Sequence, residues 1–111
     1  MIEIIQTQKD SIDILTIIGR LDTNTSTQLE GDLIQLLEND RVRIVLDFSQ
    51  LEFISSSGLR VLLMIAKRLK GVNGKMLLCA MQEHVKEVFD IAGFTMLFSI
   101  YESLEDAVKE L

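Results

Sequence analysis

The sequence predicts a mixed α/β domain, on three observations. β-branched runs with a period of two alternate with amphipathic segments of helical period along most of the 111 residues. The apolar fraction, 48%, is high enough for a packed core and excludes disorder as the main state. Proline is absent, so Gly, Asn, Asp and Ser must make the turns. The expected architecture is one domain over residues 1–111, a sheet of four to five strands with about four helices.

The elements follow in order. Ile2 to Gln8 and Ile12 to Ile18 are β-rich and flank Lys9-Asp10-Ser11, which reads as a hairpin turn. Gly19-Arg20-Leu21-Asp22 leads into a first helix. Thr25 followed by Gln28 has the spacing of a capping box, and Leu29, Leu33, Leu36 and Leu37 form one apolar stripe. Gly31 weakens that helix by about 1 kcal/mol relative to Ala, which four leucines on one face outweigh. Arg41 to Phe48 reads as the next and central strand.

A second helix runs from Leu59 to Lys70, stopping near Gly71, with a core face of Leu59, Leu62, Ile65, Ala66 and Leu69. At about 100° per residue, Met64 falls among Arg60, Lys67 and Arg68 on the polar side. An exposed Met there marks a candidate partner surface, unless a loop or the terminal helix covers it. Lys75 to Ala80 is a strand, and Gln82 to Ala92 a helix stopped by Gly93. Met96 to Tyr101 is a short last strand, and Ser103 with Asp106 caps a terminal helix carrying Leu104, Ala107, Val108 and Leu111. Strand–helix–strand units give parallel neighbours through right-handed crossovers, so the ends of several strands share one edge of the sheet. Asp22 and Ser56 can meet there.

Composition excludes several functions. Seventeen acidic against eleven basic residues, a net charge of −6, argue against a nucleic-acid partner. The cluster Lys67, Arg68 and Lys70 reads as the solvated face of a helix. No apolar stretch reaches membrane-spanning length and the first residues lack a basic start, so a cytoplasmic protein without a membrane partner is expected. A single Cys79 in an apolar strand forms no internal disulfide, and one His with one Cys makes no zinc site. No cofactor or metal is expected.

The most informative motif is Ser55-Ser56-Ser57-Gly58, between a strand and an apolar helix. The first N–H groups of a helix lack partners and present positive potential. One serine there is an ordinary N-cap; three exceed what a cap requires. A phosphate would gain charge-assisted hydrogen bonds at the same place. These residues alone admit both readings.

Taken with the rest of the chain, the motif resembles STAS domains, specifically the free-standing bacterial anti-sigma-factor antagonists. The matching pieces are Gly19-Arg20-Leu21-Asp22 with Thr25, Ile44-Val45-Leu46-Asp47-Phe48-Ser49, Phe53-Ile54-Ser55-Ser56-Ser57-Gly58-Leu59 and Gly74-Lys75-Met76-Leu77-Leu78-Cys79, followed by Val85 through Phe94. Together, in this order, they span essentially the whole chain.

The resemblance implies the STAS fold and a phosphorylation switch in partner choice. The unphosphorylated antagonist binds a GHKL-fold serine kinase that doubles as an anti-sigma factor. Phosphorylation ends the complex, and a PPM-type serine phosphatase resets the antagonist. The family motif is Asp-Ser-Ser/Thr-Gly-Leu with the acceptor after the Asp, which makes Ser56 the acceptor here. Ser55 replaces the Asp and, with Ser57, is an alternate hydroxyl. Asp22, Thr25, Ser55, Ser57, Gly58, Arg60 and Met64 are the expected partner-binding residues, with Gly58 keeping the turn close to the incoming nucleotide. A monomer or weak dimer is implied.

Two other classes compete. A hydrolase reading makes Ser56 a nucleophile, His84 its base and Asp47 the orienting group, but the Gly-x-Ser-x-Gly elbow is missing. A P-loop lysine is missing as well. The second alternative is a non-switching STAS scaffold, a subunit of a larger signalling or lipid-transport assembly.

Overall fold

The computed structural model describes residues 2–111. Its elements are β1 (Ile2–Lys9), β2 (Ile12–Leu21), α1 (Ser26–Glu38), β3 (Arg43–Asp47), β4 (Leu51–Ile54), α2 (Ser56–Lys70), β5 (Lys75–Cys79), α3 (Glu83–Ile91), β6 (Ser99–Tyr101) and α4 (Leu104–Lys109). The fold is the expected mixed α/β type, with six strands, one more than the sequence reading allowed. The addition is β4.

Strand order is β1-β2-β3-β5-β6, with β4 pairing β2 beside this path. β1 and β2 form an antiparallel hairpin around Asp10-Ser11, and every other pairing is parallel. β2 runs on to Leu21, three residues beyond the expected strand, because it changes neighbours along its length. Asp13 to Thr16 pair β3, whereas Gly19 to Leu21 pair β4. The change falls at a register shift between Gly19 and Arg20, where Gly19 has φ 113°, a conformation open to glycine.

Side-chain alternation divides the core between the two sheet faces. Leu15 and Ile17 of β2, Ile44 and Leu46 of β3, and Leu78 of β5 join the stripes of α1, α2 and α3 in the main core. Ile12, Ile14, Val45, Leu77 and Cys79 point the other way and are covered by Ala107 of α4. Both faces of β3 and β5 are therefore buried, which keeps these strands apolar almost throughout. Fully buried Asp13 is held by Arg41 Nε at 2.7 Å and by Gln8 Nε2 at 3.2 Å.

α2 leans on α1 as well as on the sheet. Met64 is consequently half-buried and packs against the main core, and the expectation that it stands out among the exposed Arg60, Lys67 and Arg68 is corrected. The three basic residues of the last turn, Lys67, Arg68 and Lys70, lie where the helix dipole favours positive charge.

Candidate functional site

The serine turn is built at the point where β4 ends and α2 begins. Ser55 is extended (φ −95°, ψ 173°), and its N–H donates to the carbonyl of Leu21 at 2.8 Å. That bond anchors the turn to the end of β2. Ser55 Oγ accepts from the Gly58 N–H at 3.3 Å, so Ser55 is the N-cap of α2, and its carbonyl accepts the first helical bond from Leu59 N at 3.0 Å.

The other two serines differ from it. Ser57 is half-buried, and its hydroxyl lies 3.3 Å from Thr23 Oγ1. Ser56, the first residue inside the helix, is exposed, and among the described residues its hydroxyl makes no hydrogen bond. One serine caps, one ties two loops together, and one faces outward.

Gly58 is buried, with a packing reason for being glycine. A Cβ built on it would stand 2.9 Å from Ile54 Cγ1 and 3.0 Å from Leu21 Cγ and Cδ2. The first turn of α2 thus rests directly on the last side chains of β2 and β4. Gly58 therefore faces the core at the start of the helix.

The neighbouring loop is organised by Asp22. Its carboxylate accepts from the N–H groups of Asn24 and Thr25, each at 3.0 Å. Thr25 Oγ1 accepts from Asp22 N at 2.9 Å and donates to the carbonyl of Arg20 at 2.7 Å. The bonds from Thr25 hold the Asp22 carboxyl below its usual pKa of 3.8. The expected capping box of Thr25 with Gln28 is not made, because the Thr25 hydroxyl is used inside this loop. Asp22 and Thr25 thus shape the loop, and Thr23, unread in the sequence, carries its side-chain contact to the serine turn.

A second unread feature is the Arg20 guanidinium, 4.3 Å from the centroid of the Phe53 ring. Arg20 and Phe53 are register partners on β2 and β4, so the stacked pair belongs to the strands leading into the two loops. Arg60, exposed on α2, is one helical turn beyond Ser56.

The residues of the hydrolase reading are engaged elsewhere. His84 Nε2 lies 2.6 Å from the carbonyl oxygen of Glu52. Asp47 accepts from Ser49 N at 2.9 Å and from Thr16 Oγ1 at 3.4 Å. Neither hydrogen-bonds Ser56 among the described residues. Cys79 is fully buried, and desolvation together with the charge of Asp47 pushes its thiol up to about 12.

Sheet order, the Asp22 loop and the serine turn together define an α/β domain that presents a helix N-terminus at the ends of β2 and β4. The chain belongs to the STAS domain family, whose pattern matches residues 3–107. It is 40% identical over 98 residues to BtrV of Bordetella bronchiseptica, which is described as an anti-sigma factor antagonist; the match covers 88% of this chain and 84% of that protein. The crystal structure of tm1081 from Thermotoga maritima superposes with a TM-score of 0.92 at 22% identity, over 96% of this chain and 92% of that one. The phosphorylated form of the Bacillus cell fate determinant SpoIIAA superposes with a TM-score of 0.75 at 19% identity, over 99% and 98% of the two chains. The two structures establish the fold.

Proposed function

We propose that this protein is a partner-switching anti-sigma factor antagonist whose switch is Ser56. Unphosphorylated, it binds a GHKL-type serine kinase that also acts as an anti-sigma factor, and so frees the sigma factor. Phosphorylation of Ser56 releases the kinase, and a PPM-type phosphatase restores the binding form. The observation that carries this reading is the division of labour among the serines. Of the three in the turn, only Ser56 has an exposed hydroxyl that no other described residue uses.

The departure from the family motif is explained by the cap. Asp and Ser are comparably good N-caps, so Ser55 takes over the bond to Gly58 N while removing a negative charge beside the acceptor. The acceptor position is kept.

A phosphoserine adds roughly −1.5 to −2 charges. On Ser56 it would sit at the N-terminus of a fifteen-residue helix, which stabilises it in the free protein. Inside an interface the same group, desolvated and unpaired, costs several kcal/mol. Each 1.4 kcal/mol is tenfold in affinity, so one phosphate dismisses the partner without rearranging the domain. Arg60 and the Arg20–Phe53 pair flank the acceptor as contact residues for the kinase.

The test is a quantitative pull-down from the protein's own cell extract with wild type, Ser56→Ala and Ser56→Asp as baits. Wild type and Ser56→Ala should retain a GHKL-type kinase that Ser56→Asp loses. Equal retention by all three, or no kinase with any, would instead favour the non-switching scaffold.

A further inference from the structure

The two edges of the sheet are unequal. β6 has three residues, whereas β1 has eight and is open along its outer side. Natural edges are blunted by proline, bulges, internal charges or short length. β1 has no proline, bulge or short length, and its charges stand only near its ends: its register with β2 is unbroken from Ile2↔Gly19 to Lys9↔Ile12, and no charge lies between Glu3 and Lys9. Ile5, in its middle, is a large apolar residue left 44% exposed.

The turn identifies which main-chain groups are free. Lys9 and Ile12 flank a two-residue turn, and the pair closing such a turn exchanges both of its main-chain hydrogen bonds. Alternation then leaves the N–H and C=O groups of Gln8, Gln6 and Ile4 pointing away from β2. A strand pairing with this edge in antiparallel fashion must bring its own outward-facing residues opposite these.

β1 itself meets that condition. Two copies aligned with Gln6 opposite Gln6 place Ile4 against Gln8, Ile5 against Thr7, and Glu3 against Lys9. The charge pair occurs twice, once on each side of the two-fold axis. Shifted registers centred on Ile5 or Thr7 also satisfy the hydrogen-bond alternation, but leave Glu3 and Lys9 without an opposite charge. In a protein of net charge −6, β1 is neutral and complementary to itself.

From this geometry we infer that β1 is a self-association edge. Two copies join antiparallel through β1, with Gln6 at the two-fold axis and Glu3 of each facing Lys9 of the other, to form one continuous sheet. Ile5 is covered by Thr7 of the second copy.

Sedimentation equilibrium on the full chain tests it, using wild type, Glu3→Lys, Lys9→Glu and the doubly reversed protein. Both substituted side chains, Glu3 and Lys9, are exposed, so the fold is retained. Wild type should follow a monomer–dimer equilibrium, each single reversal should weaken the dimer about tenfold, and the double reversal should restore it. Gln6→Pro removes an N–H that β2 does not use and should abolish the dimer. A wild type monomeric up to millimolar concentration overturns the inference. So does a dimer indifferent to the single reversals, or one that the double reversal fails to restore.

Discussion

Gly58→Ala is a direct probe of how the serine turn is seated. The added methyl group would meet Ile54 Cγ1 at 2.9 Å and Leu21 Cγ and Cδ2 at 3.0 Å. Both neighbours are fully packed, Leu21 at 0% and Ile54 at 2% exposure, so neither has room to swing aside. Overpacking at such a site costs about 1–3 kcal/mol. Replacing glycine by alanine in a helix returns up to about 1 kcal/mol. With the full return subtracted, the expected net loss is up to about 2 kcal/mol. For a chain of this size that lowers the thermal midpoint by about 4 °C per kcal/mol.

Gly31→Ala is the internal control. Gly31 is exposed within α1, and a Cβ there meets nothing within 4 Å. Only the propensity change operates, so this variant should gain about 1 kcal/mol. Urea denaturation of the three proteins, compared by midpoint at constant m-value, separates the effects. A Gly58→Ala protein that gains stability as Gly31→Ala does would refute the close approach at Gly58. A Gly31→Ala protein that loses stability would refute the propensity argument.

Four further outcomes are expected. Ser55→Ala should lose about 1 kcal/mol of stability through the missing cap, and Ser55→Asp should recover it, both measured by urea denaturation. Ala80→Gly should stabilise by about 1 kcal/mol, because Ala80 holds φ 59°, a left-handed conformation costly for any residue with a Cβ. Cys79 has a folded pKa of about 12 against 9.0 for the free thiol, so its neutral form is favoured in the fold. Stability should fall as pH rises above 9, by up to about 1.4 kcal/mol per unit, and Cys79→Ala should flatten that slope in denaturation series across the range. Asp22 has a lowered pKa, so its contribution is present above pH 3.8 and lost as pH falls through the folded value. Thr25→Val should raise the Asp22 pKa towards 3.8 in a carboxyl NMR titration.

Much of the fold was legible because its long-period signals are strong. The leucine stripe of α1, the β-branched runs of β2 and β3 and the apolar run of β5 each report one structural element over several residues. β4 escaped because Leu51-Glu52-Phe53-Ile54 is only four residues long and follows β3 after a brief turn. Its partner is β2, which lies earlier in the chain, and that choice of neighbour is a tertiary event. Met64 was misread for a related reason: a single-face helical wheel describes a helix lying on a sheet, whereas α2 also packs against α1. The serine turn was visible as a motif, yet the roles of its members were not. Assigning Ser55 to the cap required its dihedral angles, and the Thr23–Ser57 contact joins residues thirty-four positions apart. Arg20 on Phe53 depended on the β4 pairing and was hidden with it.

In the proposed switch Ser56, alone of the three serines, receives the phosphate. Site-resolved mass spectrometry of the protein recovered from its own cells, with phosphatase activity blocked during lysis, tests it most directly. Phosphate on Ser56 in the wild type, and none in Ser56→Ala, is the predicted result. Phosphate on Ser55 or Ser57, or continued phosphorylation of the turn in Ser56→Ala, would contradict it.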